Sequence, residues 1–234
     1  MQGEGQNVLS GAAATELVVD GVRRAILGGE MSPGQRLVEA ELMEMFGVTR
    51  GSVRSAIDDL TGDGLVEKIP NRGARVRRVS LDEAIAILEC RGVLEGLIAA
   101  RAAERVTAEQ AERLNRIGTQ MQEAVAGAEL RTYARLNSQL HELVAEIGAQ
   151  EIATALILKL RSQIVRHQFQ LSQRPGRPQV SLGQHLAIIE AVTSKDPQMA
   201  EQAARRHVQS VIETLLEIKE EEREAAPQRQ PIAV

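Results

Sequence analysis

From Ser80 onward the chain carries signals for helices and none for strands, which restricts most of it to packed helices. Capping boxes begin at Ser80 and at Thr107, each completed three residues later by Glu or Gln. Apolar residues recur at helical spacing behind them. We therefore predict six helices, over about 80–103, 107–126, 129–147, 150–172, 182–195 and 196–220. Together they predict an all-α bundle over 80–221, followed by a disordered charged tail over 222–234.

The composition agrees with helix packing. Phe46, Tyr133 and Phe169 are the three aromatic residues among 234, so Leu, Ile, Val, Ala and Met must fill the core. No apolar run approaches the roughly 20 residues of a transmembrane helix, and no signal pattern opens the chain. Cys90 is the single cysteine, and its apolar neighbours predict a buried structural thiol. We expect a cytoplasmic protein with no membrane partner.

Residues 14–79 follow a different pattern, that of a small mixed domain. Residues 1–13 lack periodicity and are expected to form a disordered arm. Helices are predicted over 15–27, 39–46 and 50–63, with Thr49 as the last N-cap, and strands over 65–69 and 74–79. A Pro-Asn-Arg-Gly turn at 70–73 joins the strands. Three helices followed by a hairpin predict a winged helix-turn-helix.

Basic side chains concentrate in this domain, although the formal net charge of the chain is −4. Residues 68–78 hold five basic side chains and no acidic one, which indicates a nucleic-acid contact or a solvated basic loop. The helix that follows Thr49 presents its N-terminus to phosphate. Arg50 and Arg54 share its outward face, where guanidinium groups can contact phosphate or guanine.

The predicted hairpin adds a second element that can contact DNA. Gly73 lets the backbone approach a duplex closely, and Arg72 can enter a minor groove. Arg75 supplies a salt-sensitive phosphate contact. Because one winged domain reads only a half-site, we expect a homodimer on an operator that is a short inverted repeat.

Residues 34–79 carry a specific series of motifs. The series is Leu37, Glu39, Gly47-Val48-Thr49-Arg50, Val53-Arg54, Leu60, Gly64-Leu65 and Arg72-Gly73. It resembles the N-terminal domain of GntR-family transcription regulators. The departures are Met43, Ser52 and Ser55, where the family has alanine, proline and glutamate. The resemblance implies that Arg36, Arg50, Arg54 and Gly73 contact DNA and that Arg72 reads a groove.

Three histidines and one asparagine are spaced so that they can meet inside the bundle. Asn137 and His141 lie four residues apart on an apolar helix face. Nine residues separate His185 from the next turn, and ten separate that turn from His207. At ~1.5 Å rise per residue, an antiparallel helix pair brings these two imidazoles to one level. Three imidazoles and an amide oxygen are ligand types that bind metal ions. The alternative for each histidine alone is a buried residue held by hydrogen bonds.

A second set of motifs covers the helical part of the chain. It consists of Arg91-Gly-Val-Leu-Glu95, Asn137 with His141, His185-Leu-Ala-Ile-Ile-Glu-Ala191, Asp196, Ala200 and His207. The set resembles the FCD ligand-binding domain of the FadR-type branch of the GntR family, and six helices resemble its VanR-like subgroup. The resemblance implies a metal held by Asn137, His141, His185 and His207. Imidazole ligands favour a divalent ion such as zinc or nickel, and manganese is possible.

The same resemblance implies a small carboxylate effector that completes the metal coordination. Arg91, Arg161 and Arg166 are the candidates to contact its other oxygens, and surface ion pairing is the alternative for each. We expect a mainly α protein that is not an enzyme but a ligand-responsive transcription regulator, a repressor. A metal sensor without an organic effector is one alternative. A three-histidine metal hydrolase is the other, although no carboxylate beside the three ligands is an obvious general base.

Overall fold

The computed structural model describes residues 8–164, 167, 171, 174 and 176–225. The chain forms two compact units. The first comprises Met1–Val79 with Arg161–Arg166, and the second comprises Ser80–Leu160 with His167–Val234. Across the described ranges, no helix combines the length and the apolar character that a bilayer span requires.

The first unit is a winged helix-turn-helix, as predicted. Its helices are α1 (Ala12–Leu27), α2 (Glu39–Phe46) and α3 (Arg50–Gly62), and its strands are β1 (Arg36–Leu37), β2 (Val66–Ile69) and β3 (Gly73–Val76). The strands form an antiparallel sheet in the order β1-β3-β2. Gly47 ends α2 with φ 64°, a left-handed conformation that glycine adopts readily. The Thr49 side chain then caps α3 by accepting the Ser52 N–H.

Two features of this unit differ from the sequence-based prediction. Strand β1 was not predicted, because two residues carry no periodicity of their own and owe their conformation to pairing with β3. The prediction of a disordered arm over 1–13 was wrong for its last part, because Leu9 bridges Val48 and α1 begins at Ala12; residues 1–7 lie outside the described residues. The Leu9 N–H donates to the Gly47 carbonyl at 2.9 Å. Such a bridge joins residues far apart in sequence, so no local pattern indicates it.

The described helices of the second unit follow the predicted order. They are α4 (Leu81–Arg105), α5 (Ala108–Ala126), α6 (Leu130–Gly148), α7 (Glu151–Gln163), α8 (Arg177–Thr193) and α9 (Pro197–Ala225). Ser80 caps α4, and Thr107 forms a reciprocal capping box with Gln110 at the start of α5. Asp196 accepts the Met199 N–H at 2.9 Å and so caps α9.

Three boundaries in the second unit differ from the prediction. Helix α8 begins at Arg177 rather than near residue 182, because Gly176 supplies a positive φ before the helix and Pro178 is tolerated in a first turn. Helix α7 is described to Gln163, and most of the remainder of the helix predicted over 150–172 lies outside the described residues. Helix α9 continues to Ala225, into the region predicted as a tail, and residues 226–234 lie outside the described residues.

The core of the second unit is aliphatic, as the scarcity of aromatic residues requires. Leu114, Met121, Leu136 and Leu140 are almost completely buried in it. Helix α4 is apolar on two faces, and its outward face carries exposed apolar side chains. The prediction that Cys90 is a buried thiol was wrong, because Cys90 lies on this outward face and is exposed. Apolar neighbours alone do not distinguish the two faces.

Candidate functional site

Three imidazoles converge in the second unit. His141 comes from α6, His185 from α8 and His207 from α9, and one ring nitrogen of each lies within 4.8 Å of those of the other two. The ring centroids of His185 and His207 are 4.5 Å apart, and His141 lies 5.4 and 5.6 Å from them. His185 is 1% exposed and His207 is 8% exposed. The antiparallel arrangement of α8 and α9 thus brings His185 and His207 to one level.

Hydrogen bonds orient two of these imidazoles from outside the cluster. Nδ1 of His207 lies 3.1 Å from Oε1 of Gln184. Because an amide oxygen only accepts, the proton of a neutral His207 is assigned to Nδ1, which leaves Nε2 with a lone pair. Nδ1 of His185 lies 3.0 Å from the Tyr133 hydroxyl, which also interacts with Ser181. The Nε2 atom of His185 is buried and has no hydrogen-bond partner among the described residues.

Asn137 adds a fourth donor beside the histidines. It lies one turn before His141 on α6, and its Oδ1 atom is buried without a hydrogen-bond partner among the described residues. Buried polar atoms are rarely left without partners unless an ion, water or ligand satisfies them. The orphaned Oδ1 of Asn137 and Nε2 of His185, next to two further imidazoles, therefore fit a divalent metal ion in number and in chemical type.

Burial keeps His185 and His207 neutral, and the neutral imidazole is the form that binds a metal. Burial, together with the neighbouring His141 and against the opposing charge of Glu95, lowers the pKa of His207 to about 3. Burial also lowers the pKa of His185, and His207 and Arg177 act in the same direction. Burial raises the pKa of Tyr133 to about 12, so its hydroxyl stays protonated.

A buried ion pair lies beside the cluster on α4. Arg91 donates to Oε1 of Glu95 through Nε at 3.0 Å and through Nη2 at 2.6 Å. Burial alone would raise the pKa of Glu95, but Arg91 together with His141 and His207 lowers it to about 2. The Nη1 atom of Arg91 is buried and has no partner in the described part of the chain. Arg91 therefore retains donors for a further acceptor.

The other two predicted effector-binding arginines are placed differently. Arg161 is grouped with the first unit, whereas the histidine cluster belongs to the second. Arg166 lies outside the described residues. Arg177, which the sequence reading placed in a loop, instead begins α8, and its Nη1 donates to the Ser210 hydroxyl at 2.8 Å. Its Nη2 atom is buried and unpartnered within the described ranges.

The N-terminal end of α3 carries the arginines expected to contact DNA. Arg50 and Arg54 are exposed on one face of the helix, and Thr49 caps its first turn. Glu39 at the start of α2 pairs with both of them, at 3.5 Å to Arg50 and 3.0 Å to Arg54. Sequence reading missed this contact, since Glu39 was read only as part of a motif. The pairing holds two guanidinium groups side by side on an exposed surface.

The wing carries the remaining predicted DNA contacts. Arg36 on β1 faces Arg75 on β3 across the sheet, and Nε of Arg75 donates to Glu67 at 2.7 Å. At the tip, Arg72 is exposed and Gly73 has φ 83°, a conformation that suits glycine. The first unit thus presents basic side chains on α3, on the sheet and at the wing tip.

Gln184, Tyr133 and Arg177 were not predicted from the sequence as residues of the site. Gln184 precedes His185, and Tyr133 lies two turns before His141, so spacing offered a weak signal for both. No spacing in the sequence indicated a role for Arg177, because the residues that it contacts, Ser210 and Thr214, lie on another helix. Partners of this kind become visible only once the helices are packed.

Comparison with known proteins agrees with the division into a winged helix-turn-helix domain and a helical domain. The model for bacterial regulatory proteins of the gntR family matches residues 14–76, and the FCD domain model matches residues 86–210, more than half of the chain. The chain is 28% identical over 200 residues to the HTH-type transcriptional repressor RspR of Escherichia coli (strain K12), covering 86% of this chain and 88% of that relative. It is 29% identical over 238 residues to the HTH-type transcriptional repressor NanR of Cronobacter sakazakii, covering 90% and 88%.

Solved structures share the fold. Escherichia coli McbR/YncC superimposes with a TM-score of 0.72 at 19% identity, covering 89% of this chain and 100% of that one. A transcriptional regulator from Rhodococcus sp. RHA1 gives a TM-score of 0.70 at 20% identity, covering 88% and 99%. At this level of identity the likeness concerns the fold alone.

Proposed function

The chain belongs to the GntR family of bacterial regulatory proteins and carries an FCD domain, and we propose that it is a transcriptional repressor whose operator affinity is set by a metal-bound acid. It is a DNA-binding regulator rather than an enzyme, as its relatives are. The observation that carries the proposal is the convergence of three imidazoles, one of them with an orphaned buried Nε2 atom, beside the orphaned Oδ1 atom of Asn137. The names of the relatives RspR and NanR support repression.

The metal is proposed to be held by His141, His185, His207 and Asn137. Zinc and nickel suit three imidazoles best, and manganese is compatible with them. All four donors are neutral, so a bound divalent ion would keep its full charge and would supply a Lewis-acidic centre for a carboxylate oxygen. Gln184 and Tyr133 support the site by orienting the two imidazoles that they contact.

The effector is proposed to be a small carboxylic acid. Arg91 can donate from its unpartnered Nη1 atom to an oxygen of this acid, while Glu95 holds the guanidinium in place. Roles for Arg161 and Arg166 remain predictions from the sequence. To change operator affinity, the acid must bind the DNA-competent and incompetent arrangements of the protein unequally.

DNA contact is proposed to use Arg50 and Arg54 at the start of α3 together with the wing. Thr49 directly precedes Arg50, Arg36 lies opposite Arg75 on the sheet, and Arg72, Gly73 and Arg75 belong to the wing. On DNA, phosphate oxygens can replace the carboxylate of Glu39 as acceptors for Arg50 and Arg54. The salt dependence of binding reports the number of such contacts.

A homodimer is proposed to form through apolar side chains on the outward faces of α4 and α7. Val93 and Leu97 on α4 are 52% and 40% exposed, and Ile152 and Leu158 on α7 are 75% and 62% exposed. Val93 and Leu97 are four residues apart and so adjoin on one face of α4, and adjoining exposed apolar side chains are typical of an interaction surface. A second copy is the expected occupant, because an inverted-repeat operator requires two-fold symmetry.

The central experiment measures operator affinity in four states. Operator duplexes are first selected from a random pool, and binding is then followed by fluorescence anisotropy with chelated and zinc-loaded protein, each with and without a panel of small carboxylic acids. The proposal expects one or more acids to weaken binding of the zinc-loaded protein only. If neither chelation nor any acid changes affinity, the effector part of the proposal is wrong. A change with zinc alone and none with acid would favour the metal-sensing alternative.

A further inference from the structure

Arg177 occupies an unusual position next to the proposed metal site. It is the first residue of α8, and Ser181 and His185 follow at intervals of four residues, so the three side chains lie along one helix face. On α9, His207, Ser210 and Thr214 are likewise spaced by three and four residues. The two faces meet, since His185 approaches His207 and Arg177 approaches Ser210 and Thr214.

The guanidinium of Arg177 is anchored on one side only. Its Nη1 donates to the Ser210 hydroxyl at 2.8 Å and to the Thr214 hydroxyl at 3.3 Å. Its Nη2 is buried and has no hydrogen-bond partner in the described ranges. Both anchors are neutral, and the nearby carboxylates of Glu213 and Glu217 lie on exposed side chains, with Glu217 paired to Arg174. Arg177 is half-buried, and its inward donor Nη2 lacks an acceptor that an anion can supply.

Arg177 is close to the histidine cluster without belonging to it. Its charge is among the causes that lower the pKa of both His185 and His207. Eight residues along α8 separate the backbones of Arg177 and His185 by about 12 Å, and the long arginine side chain covers part of this distance. The two hydroxyls that hold its guanidinium, on Ser210 and Thr214, lie three and seven residues beyond His207 on α9, about 4.5 and 10.5 Å along the helix axis. A molecule with two separated anionic groups can span the interval from the metal site to the guanidinium.

We propose that Arg177 binds a second anionic group of the effector, so that this chain takes a dicarboxylate in preference to a monocarboxylate. One carboxylate lies at the histidine cluster and the other accepts from Nη2 of Arg177. This inference rests on the proposed function. The charge balance supports it. Arg91 and Glu95 cancel, Arg177 adds one positive charge and a divalent ion would add two, whereas Glu213 and Glu217 are exposed and act through solvent. A dianion reduces this surplus more than a monoanion does.

The test compares acids of equal carbon number on zinc-loaded full-length protein by calorimetry. The pairs are malonate with propionate, succinate with butyrate and glutarate with pentanoate. The proposal expects at least one dicarboxylate to bind ten times or more as tightly as its partner, and Arg177→Gln to remove this preference while zinc content, measured by mass spectrometry, is unchanged. Arg174→Gln is the matched control, since Arg174 pairs with exposed Glu217 and Glu221, and it should keep the preference.

The possible results separate the dicarboxylate proposal from the proposed function. Equal affinity within every pair, or a preference that survives in folded Arg177→Gln, overturns the dicarboxylate proposal and leaves the proposed function standing. Absence of zinc from the wild-type protein, or of binding by all six acids, overturns the proposed function as well. If Arg177→Gln does not fold, the wild-type comparison still decides, and Ser210→Ala, which removes one anchor of the guanidinium, should reduce the preference severalfold.

Discussion

Gln184 and His207 are joined by a 3.1 Å hydrogen bond between Oε1 and Nδ1, and this bond assigns the tautomer of one histidine in the cluster. The next residue after Gln184 is His185, which enters the cluster itself. One turn of α8 therefore supplies a donor and also orients another donor on α9. Outer partners of this kind commonly matter to a metal site almost as much as its ligands.

The first prediction concerns this partner. Gln184→Met keeps the length of the side chain but removes the acceptor, so His207 loses its orienting bond. We expect zinc affinity, measured by chelator competition, to fall about 10–100-fold. Gln179→Met is the control, because Gln179 is exposed on the same helix. Equal affinities for Gln184→Met and the wild type would contradict the assigned role.

The second prediction concerns the neutral amide donor. In Asn137→Asp a carboxylate replaces the orphaned oxygen of Asn137, and a charged ligand attracts a cation more strongly. We expect zinc affinity to rise at least about tenfold, equal to 1.4 kcal/mol, and acid affinity to fall. Asn115→Asp adds the same charge at an exposed position. Zinc retention that is unchanged or lower in Asn137→Asp would count against ligation.

The third prediction concerns DNA. Arg54→Ala removes an exposed guanidinium at the start of α3. We expect weaker operator binding and a slope of log affinity against log salt concentration that is smaller by about 1, because one phosphate contact is lost. Arg116→Ala removes an equal charge from an exposed site on α5 and should leave the slope unchanged. A slope that does not differ between Arg54→Ala and the wild type would exclude a phosphate contact.

The fourth prediction concerns the oligomer. Leu97→Glu places a charge in the apolar face of α4, where Leu97 is 40% exposed. We expect the dimer dissociation constant, measured by analytical ultracentrifugation, to rise about 100-fold or more, since two copies of the side chain are affected. Leu130→Glu is the control, because Leu130 is similarly exposed at the start of α6. If Leu97→Glu dimerises as tightly as Leu130→Glu, this face is not the interface.

The fifth prediction concerns the buried pair on α4. Glu95→Gln leaves the charge of Arg91 without its partner, and such losses typically reduce the free energy of unfolding by about 3–5 kcal/mol. Replacing both residues by Met should cost less, because neither charge remains. The free energy of unfolding is measured by urea titration for all variants. Glu104→Gln, which breaks an exposed pair with Arg101, should reduce it by less than about 1 kcal/mol. A cost for Glu95→Gln as small as that for Glu104→Gln would refute the importance of the pair.

Much of the fold was predictable because its signals are local. Side-chain caps at Thr49, Ser80 and Thr107 and apolar periodicity define where most helices begin. The level of His185 and His207 could be predicted as well, since it depends only on helix rise and on one short turn. The prediction failed where a residue serves two patterns: α4 is apolar on two faces, so Cys90 was assigned to the wrong one.

The sequence by itself determined the helix order, the winged domain and the identity of the residues that meet around His207, because caps, periodicity and spacing act over a few residues. Only the tertiary structure decided that Gln184 orients His207, that Glu39 holds Arg50 and Arg54, and that Arg177 keeps an unpartnered donor. Each depends on where another helix places its side chains and on which polar atoms lose contact with water. Neither the placement of side chains by another helix nor the loss of contact with water can be predicted from a short stretch of sequence.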